Sequence, residues 1–508
     1  MHRSYFLVAL LIPAALLLAR CKDNPAYCDA TTPCADPTTV CVPRLNMCVP
    51  SGAGDLGAPP DLALLRCTTA SDCPADFPTC KPSGLCARCA VPGSVADCMR
   101  FAGTPVCGPA GACVECWSDG DCAAQQKTCD HTTNKCAPCA DHTDCTTGVC
   151  KPGGACAGPD EVFYVDNHAL PVATCAMNRV MTGVDRGHAF CDVASALAAT
   201  PPRPYVLVAG SPQPYGAVSL VGNGGAITVT IVGPGRTAMP PATLTGSGTS
   251  AVSITATGVG SADVTLDGLD LVGSNLASAD GVDCIGGGGT ASLTIVRSGV
   301  HGASGVGVFA KTCTLTLDAD AIALNQAGGV ALSGATQYAI TNSFITGNAS
   351  TGVTLATAIG RFAFNTVANN GSLAGGVNGG IDCGTGSTKV IEDSIIWGNA
   401  QNANCGAGCA TCMNKSQFFG CNCQVTNVVT GSDDYNEGNT LSPVFVNLTT
   451  PPYDYHLVMN SSANLACCVD KVTAASVDGG AASLPNHDVD YSTRPKGQGW
   501  DIGAHEVQ

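Results

Sequence analysis

Residues 291–348 read ASLTIVRSGVHGASGVGVFAKTCTLTLDADAIALNQAGGVALSGATQYAITNSFITGN, and within them Ile295, Leu317 and Ile340 recur at near-constant spacing. Carried outward, the series becomes Leu266, Ile295, Leu317, Ile340, Phe362 and Ile391, with steps of 29, 22, 23, 22 and 29 residues. Five residues after each member stands a second apolar residue: Leu271, Val300, Ile322, Ile345, Val367 and Ile396. Three residues further come Asn325, Asn348, Asn370 and Asn399, with the small Ser274 and Ala303 in the first two repeats. A fixed period in the twenties marks a solenoid, because one such repeat cannot bury its apolar face alone and must stack on its neighbours. Pieces such as SLTIVRSGV and YAITNSFITGN are β-rich and separated by Gly-containing turns, so each repeat is expected to be one coil of a right-handed parallel β-helix. Stacked Asn amides would then satisfy one another at an inward turn. The fold class is all-β, a solenoid preceded by a small, disulfide-rich, mostly irregular region.

The chain has 508 residues and 33 cysteines. Residues 5–19, YFLVALLIPAALLLA, follow His2 and Arg3 and are too short to span a bilayer comfortably, so residues 1–20 are expected to be an export signal. Downstream, Gly and polar residues interrupt every apolar run. Export and abundant cysteine together imply disulfides. Twenty cysteines lie between Cys28 and Cys156 and twelve between Cys175 and Cys468, which leaves Cys21 as the odd one. The expected order is a first Cys cluster at 21–50, a Pro- and Gly-rich linker at 51–66, Cys-rich repeats at 67–160 and the solenoid at 161–508. A Cys-rich loop at about 405–423, with Cys383 as a possible sixth member, interrupts the last coils.

The repeats run Cys67, Cys73, Cys80, Cys86, Cys89 and onward through Cys116 and Cys139, with recurring SDC, ADC, GDC and TDC steps. CARC, CVEC and CAPC have the spacing of zinc or redox pairs. The units are nearly devoid of apolar residues and belong to an exported chain, so disulfides are expected instead. Adjacent Cys467 and Cys468 are each expected to have a separate partner. Cys175 and Cys191 are expected to tie down an insert ahead of the helical patch 190–200, which would cap the solenoid.

The net charge is −16, and residues 161–508 hold 12 Lys/Arg against 24 Asp/Glu. Such a body repels nucleic acid and bare anionic membranes, so neither is an expected partner.

Two stretches resemble known signatures. LLLARC, residues 16–21, is similar to a bacterial lipobox, with Arg20 where lipoboxes have Gly, Ala or Ser. That resemblance implies acylation of Cys21, and Lys22 after it leans towards the outer membrane or cell surface; simple secretion is the alternative. The closing LSPVFVN, YDYHLVMNSSA and DVDYSTRPKGQGWDIGAHE resemble the choice-of-anchor Q proteins, bacterial exported β-helix proteins of the pectin-lyase-like fold. The residues carrying it are Pro443, Phe445, Val446, Tyr455, Leu457, Arg494, Pro495, Gly497, Asp501, Ile502, Gly503, Ala504 and Glu506. The resemblance implies fold and export, and no reaction.

Enzymes of the pectin-lyase-like fold gather carboxylates, often around calcium, with an Arg or Lys base. The candidates here are Asp267, Arg297 and Asp318, with Asp270, Asp320, Glu392 and Asp393 as further acids, of which Glu392 lies three coils beyond Asp318 and cannot join it. Asp267 and Asp318 lie two coils apart, about 10 Å at a coil spacing of about 4.8 Å, a loose fit to a bridged cation or an inverting carboxylate pair. His301 stands in GVHGASG without the acids a polygalacturonase needs; His188, His456 and His505 read as turn fillers. Ten Tyr and three Trp offer no aromatic platform for sugars. The leading expectation is therefore a non-catalytic surface protein that recognises or adheres to extracellular polysaccharide or protein, with no cofactor required. The alternatives are a polysaccharide lyase or glycoside hydrolase, with calcium as its conceivable metal, and a structural cell-envelope spacer.

Overall fold

The computed structural model describes residues 39–42, 47–50, 66–168, 170, 174–175, 181–276, 278–371, 379–384, 387–400, 418–419, 423–426, 428–430, 443–448, 454–473 and 484–507. The export signal, Cys21, the linker and nearly all of the 405–423 loop lie outside them. The chain forms two compact units, Met1–Ala137 and Pro138–Gln508.

In the first unit the described cysteines from Cys67 to Cys136 fall into groups of four, each bonded first to third and second to fourth. The pairs are Cys67–Cys80 with Cys73–Cys86, Cys89–Cys107 with Cys98–Cys113, and Cys116–Cys129 with Cys122–Cys136. A fourth group, Cys139–Cys150 with Cys145–Cys156, repeats the pattern at the start of the second unit. Each C-x-x-C therefore joins two groups: in CARC, Cys86 belongs to one group and Cys89 to the next. No junction cysteine is shared, and none is left to hold zinc. The acid-Cys step has a local cause. Asp72, Asp121 and Asp144 each accept the backbone N–H of the residue three positions earlier, at 2.8, 2.8 and 2.9 Å, and so close a short helical turn just ahead of a cysteine. Mass spectrometry of unreduced protein should accordingly find no alkylatable thiol in residues 67–156 and no chelator-releasable zinc; a labelled CARC or CAPC would refute this pairing.

In the second unit the chain winds repeatedly through three parallel sheets. Sheet 1 has ten strands, among them Ala226–Val232, Ser261–Asp267, Thr290–Val296, Cys313–Asp318 and Gln337–Thr341. Sheets 2 and 3 have eight strands each; the chain enters through two strands of sheet 1, Val162–Val165 and Tyr205–Val208, and from Val218 on visits sheet 2, then 1, then 3. The result is a right-handed parallel β-helix. The apolar ladder is a single inward row of sheet 1, with Leu266 opposite Ile295, then Leu317, Ile340, Phe362 and Ile391, each fully buried. The row from Leu271 to Ile396 pairs in the same way along sheet 3.

The turns explain the residues between these rows. Two positions after each ladder residue the backbone is left-handed, at Gly268, Arg297, Ala319, Asn342, Phe364 and Asp393. The next side chain points inward, and Ser298, Asp320, Ser343, Asn365 and Ser394 form a buried polar row in which each accepts a main-chain N–H of the preceding coil. At the second turn Asn325 donates to Asn348 at 3.0 Å, Asn348 to Asn370 at 2.8 Å, and Asn370 to Asn399 at 3.0 Å. Each of these amides also donates to a main-chain carbonyl, from Val300 to Val367, so no inward polar group of this turn is stranded.

Helix Val193–Ala198, capped by Asp192, buries Val193 and Ala196 in the core beside the first coils, and Cys175–Cys191 is bonded. Cys284–Cys313 joins adjacent coils inside the solenoid, and Cys383 is also disulfide-bonded. The expectation for Cys467 and Cys468 is overturned, because they bond to each other. Helix Ser462–Cys467 ends there, the backbone of Cys468 leaves helical geometry, and both sulfurs turn into one apolar cluster with Val472 and Ile502. The closing residues lie along the solenoid's flank. Hairpin Phe445–Asn447 with Asp454–Leu457, that helix and residues 484–507 bury the outward side chains Phe344, Phe364 and Ile395.

Candidate functional site

Asp267, Arg297 and Asp318 occupy the last position of sheet 1 or the turn after it, on successive coils. Arg297 takes the left-handed turn conformation, which throws its side chain outward. Its Nη2 lies 2.7 Å from Asp267 Oδ1, and Nε donates to the same oxygen at 2.8 Å. Both of these residues are held by elements distant in sequence. His142 of the last Cys group meets Asp267 Oδ2 at 2.9 Å, and Asp141 meets Arg297 Nη1 at 2.7 Å. From the other side the C-terminal strap lays Tyr491 against the guanidinium, 4.9 Å from the ring centroid. Asp318 is not joined to the other two. His487 takes its Oδ2 at 2.9 Å, Thr341 and Asn342 donate to Oδ1 at 3.0 and 2.9 Å, and His487 stacks on Tyr491.

The candidates thus bring together a clamp in which the last Cys group, 139–156, and the C-terminal strap, residues 484–507, meet over Arg297. Side-chain exposures of 14% for Asp267, 20% for Arg297 and 22% for Asp318 leave little surface for a substrate. A cleft of about 440 Å³ opens beside the clamp, floored by Gly210, Gly233 and Gly235 and walled by His142, Arg186 and Arg297.

The other acids are also engaged. Asp270 meets His301 Nε2 at 2.8 Å and accepts from Thr243 at 3.0 Å. Asp320 is fully buried in the inner turn row, where burial pushes its carboxyl well above the usual range. Glu392 lies 3.8 Å from Arg361, and the Asp393 carbonyl accepts from Gly503.

His456 and His505 are no mere turn fillers. His456 sits between Asp454 and Asp490, the latter 2.7 Å away. Burial opposes its charged form, yet the hydrogen bonds and charges of Asp490 and Asp454 prevail and raise it. His505 packs edge-on against it at 4.7 Å and accepts the Leu457 N–H at Nδ1. Burial, followed by the charge of His456, pushes His505 down to about 4. Asp490, His456 and His505 lie close enough to suggest a metal, but both nitrogens of His456 face carboxylates and the Nδ1 lone pair of His505 is taken. The two rings titrate in opposite senses. A raised His456 adds stability below its ordinary value of 6.5, which is lost as pH rises through the folded value. A depressed His505 adds stability above 6.5, which is lost as pH falls through about 4. His505→Gln should therefore flatten the fall in thermal midpoint between pH 6.5 and 4; an unchanged acid limb would contradict this account.

Sequence reasoning missed a second acidic pair. Asp280 and Asp283 border a cleft of about 430 Å³ at the entry to sheet 2, lined with Ser219, Ser250 and Ser253. Asp280 accepts the Val306 N–H at 2.6 Å, and Ser250 donates to Asp283 at 2.6 Å. Burial, followed by the hydrogen bond that the protonated Asp280 shares with Asp283, pushes Asp280 up to about 7. A Cβ on Gly305 would come within 2.2 Å of Asp280 Oδ1, so the GASG stretch makes room for this carboxyl. The only hint in the sequence was the three-residue spacing of the two acids.

The outer face of sheet 1 carries a different pattern. Thr230, Thr265, Thr294 and Thr316 stand opposite one another on four successive coils. Thr228, Asp263, Ser292 and Thr314 form a parallel column two residues away. No side chain of either column hydrogen-bonds to the rest of the protein among the described residues, their bonds being those of the main chain in the sheet.

No family model and no curated protein matches the chain. Among solved structures it is similar to "pectate lyase Pel9A" at 14% identity, over 73% of this chain and 100% of that one, with a TM-score of 0.33.

Proposed function

We propose that this is a non-catalytic exported surface protein of the choice-of-anchor Q type, tethered through an acylated Cys21, whose β-helix recognises extracellular polysaccharide or protein. The observation that carries the reading is the occupied state of Asp267, Arg297 and Asp318. A carboxylate paired to His142 and an arginine held by two aspartates and faced by a tyrosine are poor bases and poor cation ligands. The groups an enzyme would expose on this face hold the molecule's own last Cys group and strap. The eleven disulfides bonded among the described residues suit an oxidising, extracellular setting. No helix of the described residues is long and apolar enough to cross a membrane.

A second reading, a carbohydrate-active enzyme, is favoured by Asp280 and Asp283, since a carboxyl raised to about 7 beside a second one suits acid–base work. The deciding experiment exposes the exported protein to a glycan array and, in parallel, follows polysaccharide cleavage by reducing ends and unsaturated products. Retention on the array without cleavage is expected. Cleavage abolished by Asp280→Asn would establish the enzyme and end the adhesin reading. Partition into the detergent phase, lost in Cys21→Ser, tests the anchor.

A further inference from the structure

We infer that the outer face of sheet 1 is the docking surface, and that its ligand is a neutral, repetitive polysaccharide presented as an ordered surface. The inference rests on the recognition reading above. Along each column successive side chains are one coil apart, about 4.8 Å, and the columns are two residues apart along the strand, about 6.7 Å. That makes a near-rectangular grid of hydroxyls on a rigid sheet, with the inward neighbours Val264, Leu266, Leu293 and Ile295 locked in the core.

Three properties of the grid select the ligand. Its hydroxyls are not consumed internally, unlike every acid of the clamp, so their donors and acceptors are available outward. Among its eight residues only Asp263 is charged, on a solenoid with twice as many acids as bases, and Arg361, two coils beyond Thr316 in the first column, lies 3.8 Å from Glu392; a polyuronate is repelled by the body and meets no cation within the grid, whereas a neutral glycan meets no such cost. None of the eight grid residues is aromatic, and Tyr205, which continues the first column beyond Thr230, is packed against the cluster of Val149, Ala157 and Val162, so the grid cannot grip one sugar by stacking. Its affinity must come from many weak hydrogen bonds made together, which demands a ligand with its own repeat. Preorganisation by the solenoid removes the ordering cost that flexible Ser and Thr side chains on a loop would carry.

The test uses the full exported protein with disulfides intact, in depletion assays on microcrystalline cellulose, chitin and curdlan, with calcium alginate beads as the acidic comparison. Retention on at least one neutral polymer and none on alginate is expected. Thr265→Val with Thr294→Val keeps shape and strand preference but removes two hydroxyls, and should weaken retention about tenfold, the loss of two hydrogen bonds of ordinary net strength. Thr294→Arg, which lifts a flat ligand off the grid, should abolish it. An unchanged thermal midpoint in both variants shows that the fold is intact. If the neutral polymers hold wild type and variants equally, the surface is wrongly placed while polysaccharide recognition stands. Retention on no polymer, or on alginate alone, overturns the inference; if the glycan array is blank as well, the recognition reading falls with it. Ice shaping without polymer retention would reassign the grid to a frozen-water lattice and also overturn the proposal.

Discussion

Ile340→Asp should be among the most damaging single changes in this chain, lowering stability by several kcal/mol. Ile340 is fully buried between Leu317 and Phe362 of the neighbouring coils, with no polar group facing it from the row. A carboxylate there must stay charged without a partner or take up a proton, and either route forfeits the burial of an isoleucine as well. The matched control is Ala339→Asp, one residue away on the outer face. Its cross-strand neighbours are Thr316 and Arg361, so an acid there is tolerated or mildly helpful. Thr341 is the less suitable control, because its hydroxyl donates to Asp318 and a carboxylate in its place would repel that group. Urea unfolding followed by circular dichroism separates the cases. Equal midpoints for the two variants would mean that the ladder register is wrong.

This contrast shows why the fold was legible. A period-two strand inside a 22- or 23-residue coil repeats the same physical demand at each rung, and a demand made six times leaves a readable trace. The Asn ladder was visible for the same reason, and the structure adds its companion: the residue before each ladder Asn is left-handed at Leu324, Gly347, Asn369 and Gly398. The four-cysteine groups were half visible. Spacing alone cannot say whether Cys89 closes one group or opens the next, since the pairing depends on where each short hairpin turns.

The site was legible only as a set of residue types. Nothing local to Asp267 announces His142, 125 residues earlier, nor does Asp318 announce His487, 169 residues later. Contacts between a solenoid and the segments folded against it have no period, because each is made once. The Asp280–Asp283 pair escaped notice for a related reason: Asp280 owes its raised proton affinity to burial under a neighbouring coil, a property of packing and not of spacing.

The terminal R-P…D-I-G-A-x-E run gives the second large expected effect, centred on Arg494→Met. Arg494 is 4% exposed, and around it stand Glu506, Asp488 and Asp501, each 1% exposed. Its Nη2 donates to the Gly503 carbonyl at 2.7 Å, its Nε faces Glu506 at 3.4 Å, and its plane lies over Phe364. The three carboxyls do the work that secondary structure does elsewhere. Asp488 accepts the N–H groups of Asp490, Ser492 and Glu506, Asp501 those of Asp470 and Val507, and Glu506 those of Lys496 and Asp501. Gly503 is left-handed, and a Cβ there would lie 2.7 Å from Ile395, so the strap closes onto sheet 3 only through glycine. The signature is therefore a lock for the strap, with one buried cation serving three acids. Removing the cation leaves uncompensated buried charge, which typically costs about 3–5 kcal/mol. Burial already raises Glu506 and pushes Asp501 up to about 7, so acid pH should return part of the loss by protonating them. Hydrogen exchange over residues 484–507 should accelerate sharply in Arg494→Met at pH 7.5 and much less at pH 5, and adding Glu506→Gln should cost less than the two single losses combined. Exchange as slow as in the wild type at pH 7.5 would mean that the guanidinium is not what holds the strap.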